Sequence, residues 1–242
     1  MDKKQHLIQV FENFRNDESK VFEKIKNPEN RPYYIPGLAG TNETLALYAI
    51  YIEHDFKKAR LYYYKAARVK EYSTITYQRD ISNVGIYDIV DALLSDDPLI
   101  IKRYSTIRNA RQDETNFGFQ IFNAAQNILL DDLEKLDKNI HQIERFLKFK
   151  QFEPINGLLD YFNGFKNQDI SLITQGLENL LSKRKKRTFN PLTAKFISID
   201  TTGYNKLAWI KGYEIDLKSP FVPIELMPVK PLEHYEDYDF LK

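Results

Sequence analysis

Apolar residues recur at helical spacing along much of this chain, most clearly between residues 129 and 147. Six of them follow one another at intervals of 4, 3, 4, 3 and 4, namely Leu129, Leu133, Leu136, Ile140, Ile143 and Leu147. Residues at this spacing share one face of an α-helix. The pattern predicts a long amphipathic helix whose apolar stripe packs inside the molecule, with a seam between two copies of the chain as the alternative.

The same periodicity predicts helices along the rest of the sequence, which has only 9 glycines in 242 residues to interrupt them. The segment ENRPYYIPGLAGTNE, residues 29–43, holds two prolines and two glycines and is predicted to be a loop. The sequence therefore predicts an all-α protein. We expect helices near residues 3–26, 42–53, 56–72, 80–94, 98–110, 114–130, 132–150, 155–165, 170–186 and 191–212.

A recurring pattern predicts how these helices are arranged. An aspartate, followed by apolar or small residues about four and eight positions later, occurs at Asp17, Asp55, Asp97, Asp132 and Asp169. Aspartate is a good N-cap, so each of the five is predicted to begin a helix that packs back on the one before it. The spacing fits stacked antiparallel helical hairpins, either tetratricopeptide-like or an irregular solenoid, and an irregular helical domain is the alternative.

The last part of the chain differs from the rest because prolines follow one another closely there. Asn190 and Pro191 predict the start of a last helix, which ends near residue 212. Beyond it the prolines exclude a long helix, apart from one turn at residues 223–227. We call residues 213–242 the C-terminal strap and expect it to cover the last helices.

Composition and charge fit one helical domain, with hairpins over residues 1–190 and the last helix plus strap over residues 191–242. The formal net charge is +1, which provides no general attraction for nucleic acid or a membrane surface, and we expect neither as a partner. The chain has no cysteine, no signal-peptide pattern and no long apolar run, so the expected location is the cytoplasm.

The sequence contains no recognisable pattern of catalytic, cofactor-binding or metal-binding residues. The four histidines are far apart in the sequence, and His141 is expected on the surface. Paired acids such as Asp96 and Asp97 are ordinary at helix starts. We therefore predict a non-enzymatic protein without cofactor or metal, and an enzyme with a dispersed site stays open as an alternative.

Two further patches have a structural and a functional interpretation. The basic run SKRKKR, residues 182–187, is predicted to end the helix that begins near Asp169, and contact with phosphates is the less favoured alternative. Tyr62, Tyr63 and Tyr64 indicate either a protein-contact surface or the lining of a groove between helices.

Several stretches together resemble the large α-helical immunity proteins of bacterial polymorphic-toxin and contact-dependent inhibition systems. They are YYYKAA, ALLSDDPLIIKRY and LAWIKGYEIDLKSPFVPIELMPVKPLEHYEDYDFL, and the resemblance covers roughly residues 45–241. It implies a cytoplasmic, helical, non-enzymatic protein that binds and blocks the toxin domain of a cognate effector.

The resemblance also indicates where a partner would bind. Some members of this class present an acidic face, and the net charge of +1 departs from that pattern, so only local acidic patches are candidates. A helical-repeat scaffold or regulator that binds a peptide or protein is the alternative function. The candidate partner-binding residues are Asp96, Asp97, Glu233, Tyr235, Glu236, Asp237 and Tyr238.

Overall fold

α-Helices form most of the chain in the computed structural model, which describes residues 2–79, 85–108, 110–187, 191 and 193–241. These residues contain eleven α-helices and no β-strand, which confirms the predicted all-α class. The helices are α1 (Lys3–Ile25), α2 (Arg31–Tyr34), α3 (Gly37–Tyr48), α4 (Phe56–Tyr77), α5 (Val90–Ser95), α6 (Pro98–Tyr104), α7 (Phe117–Leu129), α8 (Leu133–Leu147), α9 (Gly157–Asn167), α10 (Ile170–Ser182) and α11 (Ile199–Ile210).

Four of the five predicted aspartate caps are confirmed. Asp55, Asp97, Asp132 and Asp169 each accept a backbone N–H of the first turn of α4, α6, α8 and α10, at 2.9–3.1 Å. The prediction for Asp17 is wrong, since Asp17 lies inside α1. The apolar stripe of α1 begins before this residue, so the helix is already formed where the cap was expected.

The predicted loop over residues 29–43 is also wrong, because most of it is helical. A 3₁₀ turn leads into α2, and α3 begins at Gly37. Pro32 occupies the first turn of α2, where a missing N–H costs no hydrogen bond. Gly37 and Gly40 lie on the exposed side of α3, while Leu38 between them is buried. Proline and glycine at such positions do not interrupt a helix.

Two other predicted helices are shorter in the structure. The last helix begins at Ile199, and Pro191 lies in a turn before it, while Asn190 is outside the described residues. The helix predicted near residues 80–94 is represented by a 3₁₀ turn, Gly85–Tyr87, and by α5, and residues 80–84 are outside the described part. Both predicted starts extended an apolar pattern beyond the ordered helical turn.

Neighbouring helices pack as antiparallel pairs, and the closest pair is α9 with α10. A Cβ atom at Gly176 would lie 2.6 Å from the Gly157 carbonyl oxygen and 2.5 Å from the Tyr161 nitrogen. Near the other end of the pair, a Cβ at Gly164 would lie 2.6 Å from the Ile173 nitrogen. Glycine therefore lets two helix backbones touch without side chains between them. α3 with α4, and α7 with α8, form the other main pairs.

The apolar stripe of α8 is confirmed as part of the molecule's own core. Leu136, Ile140 and Ile143 are buried between α7 and α9, whereas Leu133 at the start of the helix is 44% exposed. His141, on the opposite face, is exposed as expected. The buried centre of the stripe is already covered within one chain.

The last helix does not simply extend the row of hairpins. α11 packs against α5 as well as α10, so the chain returns to its middle after residue 187. Residues 200–208 are all buried, which surrounds this helix on every side. The tetratricopeptide-like or solenoid arrangement therefore stays a prediction, whereas the paired packing of helices is shown.

The basic run 182–187 makes contacts within the protein. α10 ends at Ser182, earlier than predicted, and residues 184–187 form a 3₁₀ turn. The Arg187 guanidinium donates to the Asp200 carboxylate at 2.7 Å, and the Arg184 guanidinium lies 3.5 Å from the centre of the Phe221 ring. At least two of these cations therefore serve the fold.

Candidate functional site: the C-terminal strap

The C-terminal strap leaves α11 through a tight turn. Gly212 adopts a φ of 86°, a conformation that favours glycine, and the helix ends there. The Trp209 indole N–H and the Asn205 side-chain amide then both donate to the Ile215 carbonyl, at 3.0 and 3.1 Å. The first extended residues are therefore fixed against the helix they have just left.

The strap covers more of the molecule than the predicted last helices. Its first part lies on α11, where Ser198 N–H donates to the Phe221 carbonyl at 2.8 Å. Val222, Leu226 and Met227 then enter a buried cluster with residues of α3, α4 and α5. The end of the strap reaches the cluster formed by α1, α2 and α3, where Leu241 is buried. The prediction that it covers only the last helices is wrong, because apolar flanks of α4 and α3 were also unoccupied.

A buried ionic junction joins the strap to the helices. The Asp96 carboxylate, at the C-terminus of α5, accepts from the Arg60 guanidinium at 2.6 Å and contacts the Lys206 ammonium at 2.5 Å. The Lys206 ammonium also donates to the carbonyls of residues 226, 227 and 228, at 2.8–3.2 Å. Lys230 N–H returns to Asp96 at 3.2 Å. One carboxylate and two cations therefore hold the strap backbone.

Burial dominates the electrostatics of this junction. The side chains of Asp96 and Lys206 have no exposed surface. Removal from water disfavours the ammonium form, and burial lowers the pKa of Lys206 to about 8, although the Asp96 carboxylate opposes the shift. The Arg60 guanidinium, also buried, adds a like charge that acts in the same direction as burial.

A second group of charges ties down the acidic tail. Arg68 on α4 donates to the Asp237 carboxylate at 3.0–3.2 Å and to the Leu241 carbonyl at 3.3 Å. Arg68 also pairs with Glu71, which accepts from Arg103 of α6 at 2.6 Å. A row of alternating charges thus connects α6, α4 and the end of the strap.

Two tyrosines of the tail bind parts of the chain that are remote in sequence. The Tyr235 hydroxyl donates to the Ser95 carbonyl at 2.9 Å, and its ring lies 4.7 Å from that of Tyr64. The Tyr238 hydroxyl donates to the Glu18 carboxylate of α1 at 2.6 Å and accepts from the Asn42 amide of α3 at 2.8 Å. The tail therefore connects the last residues of the chain to its first helix.

The inward side chains of the tail recur every third residue. Leu232, Tyr235, Tyr238 and Leu241 are buried or half-buried, which is the period of an extended chain with three residues per turn. The residue after each of the first three is an exposed acid. We call Glu233, Glu236 and Asp239 the acidic row. At about 3 Å of rise per residue, its members are roughly 9 Å apart along the chain.

The structure separates the seven predicted binding residues into two groups. Five of them make contacts within the protein, and Asp96 and Asp97 are so deeply buried that they present no surface to a partner in this conformation. The other three of this group are Tyr235, Asp237 and Tyr238. Glu233 and Glu236 are exposed, and Glu236 has 70% of its side chain in solvent, with Lys65 at 3.8 Å. The binding hypothesis therefore continues with the exposed acids.

Three basic residues that shape this site were not identified from the sequence. Arg60, Arg68 and Lys206 hold the strap, but their carboxylate partners are 36 or more residues away for the first and the tail for the second. Lys206 alone carried a signal, since it stands in an apolar stretch beside the only tryptophan of the chain. A lysine in a helix that is buried on all sides must find acceptors inside the protein.

Comparisons with known proteins add no relative to this description. No family model, no curated protein and no solved structure matches the chain. Among the residues that the structure describes, no group of three potential metal ligands comes together. The described helices also include none with the length and apolarity needed to cross a membrane.

Proposed function

We propose that this protein is an immunity protein that binds the toxin domain of a cognate effector in a stoichiometric complex and blocks its activity. The acidic row on the strap is the proposed contact surface, and the toxin face that meets it is basic. The observation that carries the proposal is the period-three alternation of the tail, which fixes the inward side chains and directs Glu233 and Glu236 outward.

Fixed geometry favours recognition because a partner then need not order the chain on binding. The Tyr235 and Tyr238 hydroxyls and the Asp237 carboxylate are each held by hydrogen bonds of 3.2 Å or shorter to other elements. The acidic row lies between these anchors. Its carboxylates are therefore positioned before any partner arrives, unlike those of a free acidic tail.

Charge provides specificity and speed of association for such a surface. The chain as a whole carries a net charge of +1, so the acidic row is a local feature and not part of a general negative field. Opposite charges at the edge of an interface raise the association rate and fix the orientation of the partners. The sequence resemblance to helical immunity proteins is strongest in this same segment, and it supplies the class of partner.

The test uses the C-terminal domain of the protein encoded immediately upstream of this gene. Calorimetric titration with the full chain should give a 1:1 complex, and the toxin's activity should disappear at equal concentrations. The double variant Glu233→Lys with Glu236→Lys should weaken binding by about tenfold or more, since it replaces two attractive contacts with repulsive ones. Added salt should weaken the wild-type complex.

A matched control reverses two exposed acids elsewhere. Glu144→Lys with Glu178→Lys, on α8 and α10, produces the same change in net charge and should leave the affinity unchanged. Equal loss in both double variants would show that only net charge matters and would contradict the acidic row. Failure of the wild-type chain to bind or inhibit the toxin domain would contradict the immunity function itself.

A further inference from the structure

A cleft of about 810 Å³ opens on the side of the molecule formed by α7, α8, α9 and α11. No strap residue lines it, so it is independent of the proposed toxin surface. Its size lies within the range of pockets that hold small organic molecules. The residues that matter for its chemistry are Phe117, Ile121, Phe146, Phe152, Leu158 and Tyr204.

Three phenylalanines form an aromatic wall of the cleft. The Phe117 ring centre lies 4.4 Å from that of Phe152 and 5.1 Å from that of Phe146. The Phe146 and Phe152 rings meet edge to face at 5.9 Å. These separations are typical of favourable aromatic contacts, and a further flat ring fits such a group in the same offset or edge-to-face manner.

The cleft also contains one polar group that the protein leaves unused. Tyr204 is only 3% exposed, and within the described part of the chain its hydroxyl has no hydrogen-bond partner. Its neighbour Tyr161 differs, because the Tyr161 hydroxyl donates to the Tyr204 carbonyl at 2.7 Å. A buried hydroxyl without an acceptor is costly, so this donor favours a ligand that supplies one.

The charged groups of the cleft are already neutralised. The Asp200 carboxylate and the Arg187 guanidinium form an ion pair at 2.7 Å, and Arg187 also donates to the Pro154 carbonyl at 3.1 Å. Burial and the nearby Asp200 carboxylate raise the pKa of Tyr204, so its hydroxyl stays protonated and acts as a donor. The site therefore suits a neutral ligand with an acceptor atom.

We propose that this cleft binds a small neutral aromatic molecule that carries a carbonyl oxygen. Its ring packs against the phenylalanine wall, and its oxygen accepts the hydrogen bond of the Tyr204 hydroxyl. Aryl ketones, esters and amides have this chemistry. Binding at this site is separate from toxin recognition, and a failure of either proposal leaves the other intact.

Two probes of equal shape test the hydrogen bond. Acetophenone has a carbonyl oxygen where α-methylstyrene has a methylene group, so the two differ in the acceptor alone. Titration of the full chain by NMR should show that acetophenone binds about fivefold more tightly, the ratio expected for one neutral hydrogen bond. Intermolecular NOEs from the acetophenone methyl group should reach the methyl groups of Ile121 and Leu158.

Tyr204→Phe should abolish the preference for acetophenone. Because the hydroxyl has no partner, this variant should retain the wild-type melting temperature. Tyr161→Phe is the matched control, since it should lower stability by removing a hydrogen bond and leave the preference unchanged. Absence of NOEs in the cleft, or an unchanged preference in Tyr204→Phe, would overturn the proposal.

Discussion

At the scale of single residues, Lys206 places an ammonium group in the interior and makes the strap depend on it. Its acceptors are the Asp96 carboxylate and three strap carbonyls. A buried ion pair is retained only when its remaining donors and acceptors are satisfied, as they are here. Removal of either partner leaves a charge without compensation, so the junction acts as a unit.

The lowered pKa of Lys206 gives the stability of the protein a defined dependence on pH. The folded value is about 8 and the ordinary value is 10.5. Between these pH values the unfolded chain binds more protons at this lysine, so its contribution to the free energy of unfolding rises with pH. The rise amounts to roughly 3 kcal/mol at 1.36 kcal/mol per pKa unit. Below pH 8 the cost of the buried charge is fully present.

Comparison with Lys206→Met isolates this contribution. Urea unfolding at several pH values from 7 to 10.5 should show a steeper rise for the wild type than for the variant, because other titrating groups are common to both. The variant should also be less stable at pH 7 by about 3 kcal/mol, since Asp96 loses one of its two cations. Parallel curves for the two proteins would mean that Lys206 titrates normally in the folded state.

Local sequence signals identified some residues of the site and missed others. The caps at Asp55, Asp132 and Asp169 were predicted because each acts on the next turn of the same helix. Asp97 caps α6 as predicted, yet its burial could not be foreseen, and neither could the pairing of Asp96 with Arg60. Such pairs depend on how distant helices meet, which the residue pattern does not specify.

At the scale of elements, the contact between α9 and α10 depends on glycine. Gly176→Ala should destabilise the protein by about 2 kcal/mol, although alanine favours helix formation, because its Cβ would meet main-chain atoms at 2.5 and 2.6 Å. Backbone atoms of a helix cannot move singly, so the two helices must separate. Thermal and urea unfolding of the full chain measure the effect.

Gly40→Ala provides the matched control for this substitution. Gly40 is exposed in the interior of α3, and a Cβ there would find nothing within 4 Å. The same change should therefore stabilise the protein, by up to about 1 kcal/mol. If both variants gained stability, the close approach of α9 and α10 would not hold in solution.

Helix centres were easier to predict than helix ends. The stripe on α8 continues for four turns, so its period identifies the helix without help from the rest of the fold. The start of α3 was missed because glycine and proline mark loops on average, whereas Gly37 and Gly40 lie on an exposed face. The meaning of such residues depends on which side of the helix is covered.

At the scale of the whole molecule, the strap connects both ends of the chain. Its apolar residues were recognised as lacking a period of their own and were expected to lie on a surface built by other elements. That expectation is confirmed by Val222 and Met227, which are buried among α3, α4 and α5. The path beyond α11 could not be predicted, because it depends on which helix flanks remain open after the helices have packed.

The connection between Tyr238 and the first helix should control the stability of the N-terminal region. The ring of Tyr238 packs edge to face on Phe22 of α1 at 5.4 Å, and its hydroxyl binds Glu18 and Asn42. Tyr238→Ala removes these contacts together. We expect amide hydrogens of α1 to exchange about a hundredfold faster, corresponding to roughly 3 kcal/mol for a lost buried aromatic side chain.

Amides of α9 and α10 report on the same experiment independently, because no strap residue belongs to their contacts with each other. Their exchange should change less than that of α1, since the lost contacts lie at the opposite end of the chain. Glu236→Ala, two residues before Tyr238 and exposed, should leave exchange in both regions unchanged. Equal acceleration in α1 and in α9–α10 would mean that the strap stabilises the molecule as one cooperative unit. An unchanged α1 would mean that the first helix is held by α3 alone.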